Sequence, residues 1–143
     1  MGGLSSFLAQ NALKVESVKY VASKRFLDAD GQPIAWEIVC ITSTEDEALK
    51  TASNKRVQVP GKRHVYVPEV DYPLYTGRLA AKCTKYPNLN DAELQGSYGV
   101  MGADALLKAM LTPGEYADYL VKVQEINGFD VPFAEKVEEA KNS

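Results

Sequence analysis

The sequence predicts an α+β fold: an N-terminal β-hairpin, followed by a second small hairpin or a loop, packed with a C-terminal cluster of short α-helices. Three observations carry this. Residues 18–23 and 34–41 are two β-rich runs with a period of two, joined by the turn residues 27–33, as the strands of a hairpin are. Residues 89–129 hold two N-terminal helix signatures, a helix stop and three short apolar stripes at helical spacing. Finally, no internal repeat, low-complexity tract or long linker divides the chain. Residues 1–143 are therefore expected to form one domain, β-rich over about 16–68 and helical over about 71–142.

Taken in order, Phe7, Leu8 and Leu13 behind Ser5 and Ser6 suggest a short helix over residues 5–13. Val18, Tyr20 and Ala22 then alternate with Lys19, Val21 and Ser23. After the turn residues 27–33, Ile34, Trp36, Ile38 and Cys40 alternate with Ala35, Glu37, Val39 and Ile41. These two runs read as a hairpin with a long loop, its buried face anchored by Trp36, the residue with the largest apolar area. A helix over residues 43–54 is capped by Thr44 with Glu47 at capping-box spacing, and three acids suit its first turn. It has only Ala48, Leu49 and Ala52 to bury. Residues 57–68, with Pro60-Gly61 at the turn, form a second small hairpin or a mobile loop.

Asp71 is the cap of a helix expected to reach Tyr86, with Tyr75, Leu79, Cys83 and Tyr86 on one face and Val70 placed to staple onto Tyr75. Pro87 ends it. Asn90 caps the next helix, with Glu93 three residues on and Leu89 stapling onto Leu94; Gly96 and Gly99 end it early. Residues 102–111 place Leu106, Leu107, Met110 and Leu111 on one side. Thr112-Pro113-Gly114-Glu115 combines a cap, Pro at the first helical position and Glu at the third. Tyr116, Tyr119, Leu120, Val123 and Ile126 follow as a buried stripe, and Gly128 is the left-handed stop, with Phe129 folding back onto Val123. Residues 132–141 read as a last amphipathic segment offering Phe133 and Val137.

Composition excludes several functions. A net charge of −3 and an isoelectric point near 5.2 give no basic footprint for nucleic acid. No apolar run approaches the roughly 20 residues that span a bilayer, and the N-terminus lacks a signal-peptide layout. Residues 1–6 satisfy the loose N-myristoylation pattern, for which a flexible start before the first helix is the simpler account. Cys40 and Cys83 both lie in apolar patterns and are expected to be buried free thiols. With a single His, they cannot assemble a Cys/His zinc site.

The remaining chemical signals are weak. Asp28, Asp30, Gly31 and Glu37 match four positions of a calcium loop, but Phe26 stands at the first, so turn chemistry explains them better. Gly96, Gly99 and Gly102 form a GxxGxxG string that follows a helix rather than a strand, which favours a helix joint over a phosphate loop. His64 lies beside Lys62 and Arg63, and with Lys55-Arg56 makes a small basic cluster on a solvated loop. No Ser, Cys or carboxylate pair has the surroundings of a nucleophile or an acid/base couple. The eight tyrosines suit core rims and protein interfaces equally.

The segments KYVASKRFLDADGQPIAWEI, YPNLNDAELQGSYGVMGADALLKAML and TPGEYADYLVKVQEINGF resemble the XkdN-like tail assembly chaperones of PBSX-type prophages and related phages of Gram-positive bacteria. The runs PNLNDAELQxSYGVxG and LxPGEY…INGF are the specific parts, and the likeness extends over about residues 7–142. It implies a non-enzymatic morphogenesis factor with no catalytic residues, no cofactor and no metal. Such a factor binds the long, aggregation-prone tape measure protein in the cytoplasm of the bacterial host and keeps it soluble. It assists the tail tube protein in polymerising around it, and is absent from the mature virion. The alternative is a structural tail or head-completion component retained in the particle. The contacts expected from the C-terminal helices are Leu107, Met110, Tyr116, Tyr119, Phe129 and Phe133, although the same residues could serve as core. Neither nucleic acid nor membrane is an expected partner, and self-association is left open.

Overall fold

The computed structural model describes residues 3–129. It is an α+β structure of two small antiparallel sheets and five α-helices, with the strands concentrated in the N-terminal half. Strand β1 (Val18–Tyr20) pairs antiparallel with β2 (Trp36–Ile38), in the register Val18–Ile38, Lys19–Glu37 and Tyr20–Trp36. The alternation seen in the sequence puts Trp36 and Ile38 into the core, at 1% and 0% exposure. The connecting loop folds on itself. Asp28 Oδ1 accepts from the amides of Asp30 and Gln32, and Ile34 N–H donates to Phe26 C=O at 2.8 Å. The Asp28 carboxylate is thus spent on its own turn.

Helix α1 (Ser43–Ala52) is capped two residues earlier than the sequence suggests. Thr42, not Thr44, accepts from Glu45 N–H, and the Glu45 carboxylate returns to Thr42 N–H at 3.0 Å. Both spacings satisfy the capping box. The earlier start lets Asp46 accept from the Tyr75 hydroxyl and pair with Lys50 at 3.2 Å. The second hairpin is formed: β3 (Asn54–Gln58) pairs with β4 (Tyr66–Val70) over five residue pairs, closed at its base by Asp71 N–H on Ser53 C=O.

Helix α2 (Tyr72–Cys83) is capped as expected by Asp71, whose carboxylate accepts from Leu74 N–H at 3.2 Å. It stops at Cys83 rather than continuing to Tyr86. Residues Thr84–Tyr86 instead form β5, which pairs antiparallel with the open edge of β2 to give the order β1-β2-β5. Val39 N–H donating to Cys83 C=O extends this pairing, and the residue before Pro87 is disfavoured in a helix anyway. Tyr86 leaves the buried stripe as a result and is 53% exposed. α2 is the hub on which α1, α4 (Ala103–Met110) and α5 (Pro113–Ile126) all pack.

Helix α3 (Ala92–Ser97) is capped by Asp91, which accepts from Leu94 N–H at 2.8 Å, and not by Asn90, whose amide is held in a turn by Asn88. Leu89 and Leu94 still join the core from either side of the cap. α3 ends on Gly99 at φ +66°, with Gly99 N–H on Gly96 C=O and Val100 N–H on Gln95 C=O, the paired bonds of a Schellman stop. α5 ends the same way at Gly128, φ +87°, with Gly128 N–H on Glu125 C=O and Phe129 N–H on Gln124 C=O. One difference lies at the start of the chain. In place of a helix over residues 5–13 there is one 3-10 turn, Leu4–Phe7, followed by bends, and no residue of it is buried. An isolated helix that short is not stable without a surface to pack on.

At α5 the expected capping box is complete. Thr112 Oγ1 accepts from Glu115 N–H at 3.3 Å, and the Glu115 carboxylate accepts from Thr112 N–H at 2.9 Å. That backbone bond is the first cause holding the Glu115 carboxyl below its ordinary range. Thr112→Ala should cost about 1 kcal/mol, read as a lower denaturation midpoint at unchanged slope, whereas Thr112→Ser should retain most of the stability. Equal losses for both substitutions would show that the hydroxyl does not cap the helix.

Candidate partner-binding surface

The residues expected to meet a partner fall into three groups. Leu107, Met110 and Tyr119 lie in the core, at 0%, 4% and 0% exposure. Tyr116 is half-buried against that core, and Phe129 is 39% exposed. Phe133 lies outside the described residues, as does the whole amphipathic segment of residues 132–141.

Tyr119 shows why its group turned inward. Its ring meets Trp36 edge-on at 5.3 Å and Tyr20 at 6.0 Å, so α5 is locked to the three-stranded sheet through aromatic contacts. Thr84 Oγ1 donates to Ala80 C=O at 2.7 Å, so its lone pair is left to accept the Tyr119 hydroxyl proton at 2.6 Å. Burial raises the Tyr119 pKa from its ordinary value, and the phenol stays a neutral donor.

The exposed apolar side chains lie elsewhere. Every residue from 3 to 17 is exposed, and this arm carries Leu4 at 83%, Phe7 at 81%, Leu13 at 97% and Val15 at 75% exposure. A second group surrounds the α3–α4 joint, where Met101 is 92% exposed beside Tyr98. The glycines there are structural. Gln95 clamps the joint by donating to Leu89 C=O at 2.8 Å and accepting from Gly102 N–H at 3.0 Å, so that amide is not open to an anion. Phe129 borders a cleft of about 200 Å³ lined also by Ile41, Thr42, Ser43, Asp46, Leu79 and Asn127. Asn127 holds its rim by accepting from Ile41 N–H at 3.1 Å and donating to Val123 C=O at 2.9 Å. The serine and threonine of this cleft have no imidazole beside them. His64 sits at the tip of the β3–β4 ribbon, with φ +62°.

Cys83 is buried and Cys40 half-buried, and both are free thiols. Burial pushes the Cys83 thiol up to about 11, so it is not a thiolate near neutral pH. Cys40 Sγ donates to Ile126 C=O at 2.9 Å, tying the end of β2 to the end of α5. Among the described residues no group of three or more His, Cys, Asp or Glu could hold a metal, and no helix is long and apolar enough to cross a membrane. Among the described residues the surface thus offers apolar contact sites on the arm and at the α3–α4 joint. Exposed side chains on the arm were not singled out from the sequence. Their signal is five large apolar residues, Leu4, Phe7, Leu8, Leu13 and Val15, with no pairing strand or stapled cap.

Comparison with known proteins places this chain in a family. The family model described as phage XkdN-like tail assembly chaperone protein matches residues 4–141. YqbN of Bacillus subtilis strain 168 is 33% identical over 140 residues, covering 97% of this chain and 93% of YqbN. The phage-like element PBSX protein XkdN of the same strain is 31% identical over 140 residues, again 97% of this chain and 93% of the relative. A crystal structure of the protein YqbN superposes with a TM-score of 0.76 at 29% identity, over 91% of this chain and 99% of that one. The capped α5, its Gly128 stop and the β1-β2-β5 sheet are therefore the frame of a protein that belongs to the phage XkdN-like tail assembly chaperone family.

Proposed function

We propose that this chain is a non-enzymatic chaperone that binds the tape measure protein in the cytoplasm of the bacterial host, keeps it soluble and assists the tail tube protein in polymerising around it. The observation that carries this reading is the arm of residues 3–17, whose Leu4, Phe7, Leu13 and Val15 are each at least 75% exposed. Apolar side chains displayed in such numbers on a segment without a core of its own serve contact with another chain. A long helical client exposes apolar stripes, and an extended apolar arm can cover them reversibly. Tyr116 and Phe129 add aromatic area at the surface of the body. Leu107, Met110 and Tyr119 contribute by holding the helices together. The chain leaves before the virion matures.

Co-expression with the tape measure product tests this. The wild-type chain should raise the soluble fraction of the tape measure protein severalfold and co-purify with it. Because the arm is exposed, Phe7→Asp with Leu13→Asp should abolish both effects while leaving the melting temperature unchanged. Unaltered rescue by that variant would remove the arm from the binding surface, and failure of the wild type to rescue or co-purify would end the chaperone reading. Recovery of the chain from mature particles would favour a retained structural component.

A further inference from the structure

We propose that the β3–β4 ribbon is a contact between two copies of this chain, packed face to face through four valines. The register pairs Lys55 with Glu69 and Val57 with Val67, and Val59 N–H donates to Val65 C=O at 2.9 Å. Side chains alternate along each strand, so Lys55, Val57, Val59, Val65, Val67 and Glu69 all share one face. The other face carries Arg56 stacked at 5.1 Å over Tyr66. Val65 and Val67 are 43% and 47% exposed, Val57 and Val59 are half-buried, and apart from Val70 at its base, which packs against the core, the ribbon's main packing among the described residues is between its own strands. An isolated two-stranded ribbon is marginal in water, and a contiguous β-branched face is what a second layer of sheet would cover.

The charge pattern at the base of this face fits a second copy. A two-fold axis running along the ribbon, midway between two facing copies, places β3 of one over β4 of the other at the same level. Val57 then meets Val67 of the second copy, Val59 meets Val65, and each Lys55 meets a Glu69. The face is complementary to itself in shape and in charge, as an isologous contact requires. Its footprint is only about 10 by 17 Å per copy, well below that of a permanent interface. The association is therefore reversible and concentration-dependent.

Sedimentation velocity of the full chain from low to high micromolar concentration tests the contact. Wild type should pass from monomer to dimer, and Val67→Lys should remain monomeric at every concentration. K55E alone sets acid against acid twice and E69K alone sets base against base twice, so each should be monomeric. An equimolar mixture of the two should dimerise again, because each chain then offers the charges the other lacks. This rescue between chains separates the contact from the Lys55–Glu69 pairing inside one ribbon, which mixing cannot restore. A wild type that is monomeric throughout, a dimer indifferent to Val67→Lys, or a mixture that does not reassociate would each overturn the proposal. So would a lower melting temperature of Val67→Lys where wild type is monomeric, since the valines would then be covered within the chain. Loss of tape measure binding by Val67→Lys in a monomeric wild type would assign the face to that partner instead, and would also overturn it.

Discussion

Replacing Trp36 with alanine should remove about 3–5 kcal/mol of folding stability, the largest loss expected from any single side chain here. Trp36 is 1% exposed at the centre of the three-stranded sheet, flanked by Tyr119 at 5.3 Å and Phe26 at 6.3 Å. Truncation deletes the indole's burial and leaves a cavity that three rigid elements border, so relaxation into it is limited. For a chain of this size the loss corresponds to a fall of about 10–15 °C in melting temperature, and a large fraction of a typical domain's total stability. Trp36→Phe keeps most of the apolar volume and should cost less than half as much. Circular dichroism is the suitable probe, because Trp36 is the chain's single tryptophan and its fluorescence disappears with it. A loss below about 1 kcal/mol for Trp36→Ala would show that the sheet and α5 are held together elsewhere.

Features written in neighbouring residues were legible before the fold was known. Asp71, Thr112 with Glu115, and Gly128 act through bonds that reach no more than five residues, so their chemistry is present in any short window. Where two windows satisfy the same rule, local chemistry cannot choose. Thr42 prevails over Thr44 because Asp46 is then placed for Tyr75, and Asp91 over Asn90 because Asn88 already holds the Asn90 amide. β5 was illegible for a different reason. Thr84–Tyr86 become a strand through the edge of β2, more than forty residues away, which outweighs the helical spacing of Tyr86. The first segment departs in the opposite sense: Ser5 and Ser6 are cap-type residues, but residues 5–13 are all exposed and pack on no surface among the described residues that would hold a helix there.

The same distinction governs the binding surface. A stripe such as Leu107, Met110 and Tyr119 looks identical in sequence whether it faces a core or a partner, and only the packing of α4 and α5 on α2 and on the sheet decides. Neither the arm nor the ribbon valines can be assigned to the surface from their residues alone, because exposure is a property of the whole fold. Both become visible once the core is known to close without them.

The closeness of that packing leads to a sign reversal at Gly77. In a helix interior alanine is favoured over glycine by about 0.8–1 kcal/mol, so Gly77→Ala in α2 would ordinarily stabilise. A Cβ at this position would, however, stand 2.8 Å from the Tyr116 hydroxyl oxygen on α5. The clash falls at the tip of a rigid ring rather than a flexible chain, and overpacking of this kind costs about 1–3 kcal/mol. Gly77→Ala should therefore be net destabilising. The hydroxyl it strikes is itself poorly accommodated, being buried with no hydrogen-bond partner among the described residues. Tyr116→Phe removes that oxygen without breaking a bond, so it should be neutral or stabilising by up to about 1 kcal/mol. In the Tyr116→Phe background the added methyl no longer meets oxygen, and Gly77→Ala should recover its helical advantage. The four proteins of this double-mutant cycle, measured by urea denaturation, should give a coupling of roughly 2 kcal/mol. Were Gly77→Ala equally damaging in both backgrounds, contact with the Tyr116 hydroxyl could not be the reason that α2 carries glycine where α5 crosses it.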